Sequence, residues 1–99
     1  MEGYSVNELR RIISPIAREY GVESVSLFGS HARGTATSSS DVDLKIVKGR
    51  LRSLFQLSGF RLAVEDALGV SVDLVTSESD DRDFLRSISA EEVLLYKEP

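Results

Sequence analysis

Gly29-Ser30 precedes by ten residues a pair of carboxylates, Asp41 and Asp43, which a single intervening residue places on one side of a strand. A third carboxylate, Asp73, lies in the strand-like segment Val70-Ser71-Val72-Asp73-Leu74-Val75. A glycine at 29 lets the backbone approach a phosphate closely, and Ser30 adds a hydroxyl and an exposed amide. Arg33, about one turn further on, is a natural partner for phosphate oxygens. Carboxylates gathered this closely repel one another. Divalent cations that favour hard oxygen ligands, Mg²⁺ or Mn²⁺, relieve that repulsion while bridging substrate phosphates. The pattern therefore suits the chemistry of a metal-bound nucleoside triphosphate. With two ions ~3.5–4 Å apart, Asp41 and Asp43 would bridge both. Asp73, on the nucleophile side, would also be placed to take a hydroxyl proton.

The neighbouring residues carry weaker expectations. Lys45 either neutralises the carboxylates or meets the substrate. His31, the only histidine, is expected to point to solvent beside the turn, with a metal-ligand or general-base role as the alternative. Ser38-Ser39-Ser40 reads as a flexible polar connector whose last member braces Asp41 by a local hydrogen bond. Three other phosphate or metal patterns fail on spacing. Gly29 and Gly34 match the glycines of a P-loop, but Thr35 stands where its lysine belongs. A calcium loop beginning at Asp41 would need an oxygen ligand at Lys45 and glycine at Ile46. The Asp-x-Asp of haloacid-dehalogenase-type phosphatases closes an apolar strand, whereas this pair opens one after a polar loop.

Elements that could position these groups are visible along the chain. Ser5-Val6-Asn7-Glu8 forms a capping box, and Val6, Leu9, Ile12, Ile13, Ile16 and Tyr20 recur at helical spacing until Gly21. Pro15 within that helix predicts a kink or a restart near Ser14. Strands are predicted over Ser24–Phe28, Val42–Val47 and Val70–Val75, with one helical turn inside Gly29–Gly34. A third helix is predicted over Leu51–Leu68, with Leu54, Leu57, Phe60, Val64, Ala67 and Leu68 inward and Gly69 ending it. Gly59 costs that helix ~1 kcal/mol relative to alanine, which points to a break or to close packing near Ser58-Gly59. A short amphipathic helix over Asp81–Ile88 and an extended piece over Val93–Tyr96, of undetermined pairing, complete the reading. No internal repeat is evident.

Alternation along the strands sorts residues by sheet face. Val25, Leu27, Val42, Leu44, Ile46, Val70, Val72 and Leu74 fall on an apolar face that helices should cover. Ser24, Ser26, Asp41, Asp43, Lys45, Ser71 and Asp73 fall on the other, expected to be uncovered. Asp73 joins Asp41 and Asp43 if its strand is adjacent, about 4.8 Å away. A solvated sheet face is the plain alternative to an open site. The fold class expected is α/β of the α+β kind, a small sheet with helices on one face.

At 99 residues and 41% hydrophobic content the chain fits one domain, 1–99, so an acceptor-binding domain would have to come from elsewhere. A net charge of -4 gives no basic footprint for direct nucleic-acid binding or an anionic membrane. The absence of cysteine excludes disulfides and thiol chemistry and suits a reducing cytosol. Met1–Ser14 does not read as a signal peptide, and no apolar run approaches the ~20 residues that span a bilayer. A soluble, cytoplasmic protein is the expectation.

With these blocks in order, the chain resembles the minimal nucleotidyltransferases, small members of the DNA polymerase beta superfamily. Their signature is Gly-Ser, ten residues, then Asp-x-Asp. Gly29-Ser30 with Arg33-Gly34, Ser40-Asp41-Val42-Asp43-Leu44 and Val72-Asp73-Leu74-Val75 match the expected blocks across nearly the whole chain. The resemblance implies that Asp41, Asp43 and Asp73 hold the metals and that Gly29 and Ser30 hold the triphosphate. It also implies a mixed sheet with helices on one face, and transfer of a nucleoside monophosphate, usually AMP from ATP, onto a hydroxyl with loss of pyrophosphate. The stand-alone form is similar to the antitoxin half of pairs whose partner is a helical HEPN-type ribonuclease toxin, silenced by adenylylation of a tyrosine. The partner's docking surface would be the exposed face of the third helix or the segment Glu91 to Pro99. Two other readings remain open: a module that neutralises its partner sterically, and a small-molecule nucleotidyltransferase completed by a separate acceptor subunit.

Overall fold

The computed structural model describes residues 3–99, so the first two residues of the stretch inspected for a leader lie outside it. Helix α1 spans Val6–Tyr20. Ser5 Oγ accepts from the Glu8 amide and the Glu8 carboxylate accepts from the Ser5 amide, closing the predicted capping box. Helix α1 passes through Pro15 without restarting. Pro15 and Arg11, whose carbonyl loses its partner, are both exposed, so water can replace the missing bond.

Strands β1 (Ser24–Phe28), β2 (Val42–Val47), β3 (Val72–Thr76) and β4 (Val93–Lys97) form one sheet in the order β3-β2-β1-β4. β1 pairs antiparallel with β2 and β4, and β2 pairs parallel with β3, which makes the sheet mixed as expected. The pairing left undetermined for the last segment is thus with β1, and its register shifts at Val25/Ser26. The parallel pair requires a crossover. Helix α3 (Leu54–Leu68) supplies it.

α3 starts three residues later than predicted because Ser53 caps it, its hydroxyl accepting from the Gln56 amide. Phe60, Val64 and Leu68 face inward as expected, whereas Ala67 is exposed and Leu54 is 80% exposed. Leu51, ahead of the cap, fills the core at that end instead. Gly59 stays helical and marks close packing, since a Cβ there would lie 3.3 Å from the Tyr20 ring. Helices α1 and α3 cover the apolar face, where Leu9, Ile13, Leu27, Leu44, Ile46 and Phe60 are fully buried. Each such side chain contributes roughly 1.5–3 kcal/mol of transfer free energy.

The opposite face is less open than its alternation pattern suggests. Helix α4 (Arg82–Ser89), capped by Asp81, sets Phe84 edge-on against Phe28 at 5.9 Å. Phe28 shares a face with Ser24 and Ser26, so α4 lies on the acidic side of the sheet, and Ser26 is only 6% exposed. Phe84, Leu85 and Ile88 give α4 an apolar stripe, and α1 and α3 already fill the other side. The stripe settles on the remaining surface, while Asp41, just ahead of β2, stays exposed. Among the described residues, no helix is long and apolar enough to cross a membrane.

Candidate active site

At the end of β1 the chain turns through Gly29, whose φ of 75° is a left-handed value that disfavours a side chain. Helix α2 (Gly29–Arg33) follows, and Gly34 ends it. Phe28 pairs with Asp43 across the antiparallel ladder, so the turn sits directly over that aspartate. A Cβ at Gly29 would collide with Asp43 Oδ2 and come within 3.0 Å of Cγ. Only glycine permits this approach.

Asp43 and Asp73 are register partners across the parallel pair, side by side on one face, as alternation predicts for adjacent strands. Asp43 is half-buried while Asp41 and Asp73 are exposed. The Asp43 carboxyl is pushed up to about 6 by burial first, then by the charge of Asp73, a hydrogen bond to it and the charge of Asp41, with Arg33 opposing. Among the described residues no three acidic or histidine side chains are gathered tightly enough to hold an ion as they stand. The donor set nevertheless fits a divalent cation. It offers hard carboxylate oxygens only, and Asp43 and Asp73 carry the mutual repulsion that a cation would relieve.

The positive groups are engaged differently from expectation. Arg33, assigned to phosphate, donates from Nη1 to both Glu91 oxygens, at 3.1 and 3.3 Å. Glu91 Oε1 also accepts from the Gly29 amide at 3.4 Å. Lys45 pairs with Glu92 at 2.7 Å rather than with Asp43 two residues before it. Ser30 lies at the start of α2, where its carbonyl accepts from the Thr35 amide at 3.0 Å.

His31 is not at the surface. It is 4% exposed, with Nδ1 3.2 Å from the Asp41 carbonyl, so it fastens the first aspartate's backbone to α2. Ser40 does not brace Asp41; its hydroxyl accepts from the Thr37 amide at 2.8 Å, and Ser40 N–H donates back to the Thr37 carbonyl. The serine segment is therefore a hydrogen-bonded turn rather than a loose connector. Glu91, Glu92 and the bracing role of His31 were missed by sequence reasoning. A lone histidine gives no signal of burial, and Glu91 and Glu92 lie 58 and 47 residues from their partners.

A four-stranded mixed sheet with a glycine turn over paired aspartates defines a nucleotidyltransferase domain. The chain belongs to the family described as "Polymerase beta, Nucleotidyltransferase", which matches residues 11–99. It is 37% identical over 75 residues to MJ0435 of Methanocaldococcus jannaschii, covering 76% of this chain and 81% of that one; MJ0435 is provisionally named a protein adenylyltransferase. Over 79 residues it is 32% identical to the protein adenylyltransferase MntA of Thermococcus cleftensis, covering 76% and 80% of the two chains. The same fold occurs, with a TM-score of 0.72 and 17% identity over 94% of this chain and 73% of the other, in a Shewanella oneidensis complex of a tri-AMPylated HEPN toxin with its MNT antitoxin.

Proposed function

We propose that the chain is a protein adenylyltransferase that moves AMP from ATP to a hydroxyl, of tyrosine type, on a HEPN-class toxin, and so acts as an antitoxin. The observation that carries the reading is the Asp43–Asp73 pair lying in register beneath Gly29. Relatives named as protein adenylyltransferases support the reaction, and an AMPylated toxin bound to a chain of this fold supports the acceptor. Asp41, Asp43 and Asp73 would hold Mg²⁺ or Mn²⁺, which when bound neutralises the triphosphate and favours ionisation of the acceptor hydroxyl.

The chain's own groups have separate tasks. The Gly29 amide, Ser30 and Arg33 grip the triphosphate, and Gly29 lets its phosphates approach the carboxylates. The acceptor oxygen bonds to the α-phosphorus while the bond from that phosphorus to the oxygen bridging to the β-phosphate breaks, releasing pyrophosphate. Asp73, the most accessible of the paired carboxylates, takes the hydroxyl proton. The β1–β2 hairpin and α2 orient this set, with His31 fixing the Asp41 backbone. No part of this requires a membrane or direct binding of nucleic acid, and a cytosolic setting suits both ATP and a ribonuclease partner.

The test is label transfer from ATP labelled at the α-phosphate, using the purified chain, Mg²⁺ and a HEPN-type toxin partner. A labelled toxin with wild type and none with Asp41→Asn/Asp43→Asn is the expected result. Neutralisation of the toxin by the double variant without labelling would replace this reading with steric inhibition. Label found only on a small molecule would indicate a small-molecule nucleotidyltransferase.

A further inference from the structure

Two groups assigned above to the triphosphate, the Gly29 amide and the Arg33 guanidinium, both contact one internal anion, the carboxylate of Glu91. Glu91 stands in the short connection between α4 and β4, and the next residue, Glu92, holds Lys45 at 2.7 Å. The connection is thereby fastened across the acidic face by two consecutive glutamates. Besides these pairs, the Glu91 amide donates to the Ile88 carbonyl at 3.1 Å, and Val93, immediately after, pairs with Leu27.

We propose that Glu91 is an internal stand-in for a nucleotide phosphate, which closes the triphosphate site until ATP displaces it. The inference rests on the nucleotide-binding role proposed for Gly29 and Arg33. A carboxylate and a phosphate ask for the same donors, an amide N–H and a guanidinium, so both cannot hold them fully at once. The lock is weak by construction. Arg33 and Glu91 side chains are 52% and 34% exposed, and ion pairs so placed are readily exchanged. Displacement frees the α4–β4 connection on the Glu91 side, so nucleotide entry is coupled to loosening of the cover on the acidic face. ATP then meets a site already shaped for an anion, at the expense of removing the resident one.

The experiment is calorimetric binding of Mg²⁺-ATP, and of adenosine as an uncharged control, to wild type, Glu91→Gln and Glu91→Ala, with thermal melts to establish folding. Removing the resident charge should tighten ATP binding about two- to fivefold in both variants, the range an exposed ion pair can supply. Adenosine binding should not change, and in the transfer assay KM for ATP should fall while kcat holds. Equal or weaker ATP binding by both folded variants, with wild type still binding ATP, overturns the inference and makes Glu91 a residue that orients Arg33. If wild type and both variants all fail to bind ATP, the nucleotide-binding reading itself fails and takes the inference with it.

Discussion

The two faces of the sheet are built on opposite rules. Toward α1 and α3, Val25, Leu27, Val42, Leu44 and Ile46 are sealed from solvent and satisfied by packing alone. Toward α4, residues alternating with those same positions place Asp43 beside Asp73, leave both partly hydrated, and give α4 only Phe84, Leu85 and Ile88 to bind with. One surface is optimised for stability and the other gives up stability to keep like charges together. β2 carries both roles in a single strand, so substitutions one residue apart should have effects of different kinds.

The largest contrast should come from Asp43→Asn. Loss of a carboxylate proposed to hold the divalent cation is expected to lower AMP transfer by about 10³-fold or more, measured by label transfer, without unfolding the chain. On the other face, Phe60→Ala should cost about 3–5 kcal/mol in chemical denaturation, because its site is fully enclosed and cannot collapse around the cavity. Gly29→Ala joins the two effects. The added methyl strikes Asp43 and the left-handed backbone resists it, so transfer should drop at least about tenfold with about 1 kcal/mol of destabilisation.

A smaller effect distinguishes the faces by pH. Asp43 has a folded value of about 6 against its ordinary 3.8, so between those limits the folded state binds the proton more strongly than the unfolded one. In metal-free protein its contribution to stability therefore declines as pH rises through that window and stays low above it. Asp43→Asn should consequently raise the melting temperature relative to wild type at pH 7.5, and the difference should disappear below pH 3.8. The smallest effect belongs outside both faces: Phe55→Ser, at 90% exposure on α3, should change stability by less than about 0.5 kcal/mol.

Much of this division was legible in the residues. The capping box bounded α1, and period-two alternation separated Val42, Leu44 and Ile46 from Asp41, Asp43 and Lys45 before any pairing was known. Gly29-Ser30 with Asp41-x-Asp43 pointed to the region where the turn and strand meet. What escaped were contacts between residues far apart in the chain. Nothing near Arg33 announces Glu91, nothing near Lys45 announces Glu92, and the spacing within α4 specifies an apolar stripe without saying which face of the sheet receives it. The start of α3 was misplaced because Leu51 and Leu54 look alike in pattern, and only the Ser53 cap decides which of them begins the helix.

The pairing of Asp43 with Asp73 also has a temporal side. Asp43 arrives on a hairpin, joined to β1 by nearby chain, but Asp73 arrives only after α3 has crossed over and laid β3 parallel to β2. A chain emerging during synthesis thus carries its Gly29 turn and its first two aspartates well before it owns the third. Competence at the proposed site therefore waits for the α3 crossover to set β3 beside β2, while the β1–β4 pairing, which joins residues still further apart in the chain, comes after it in sequence.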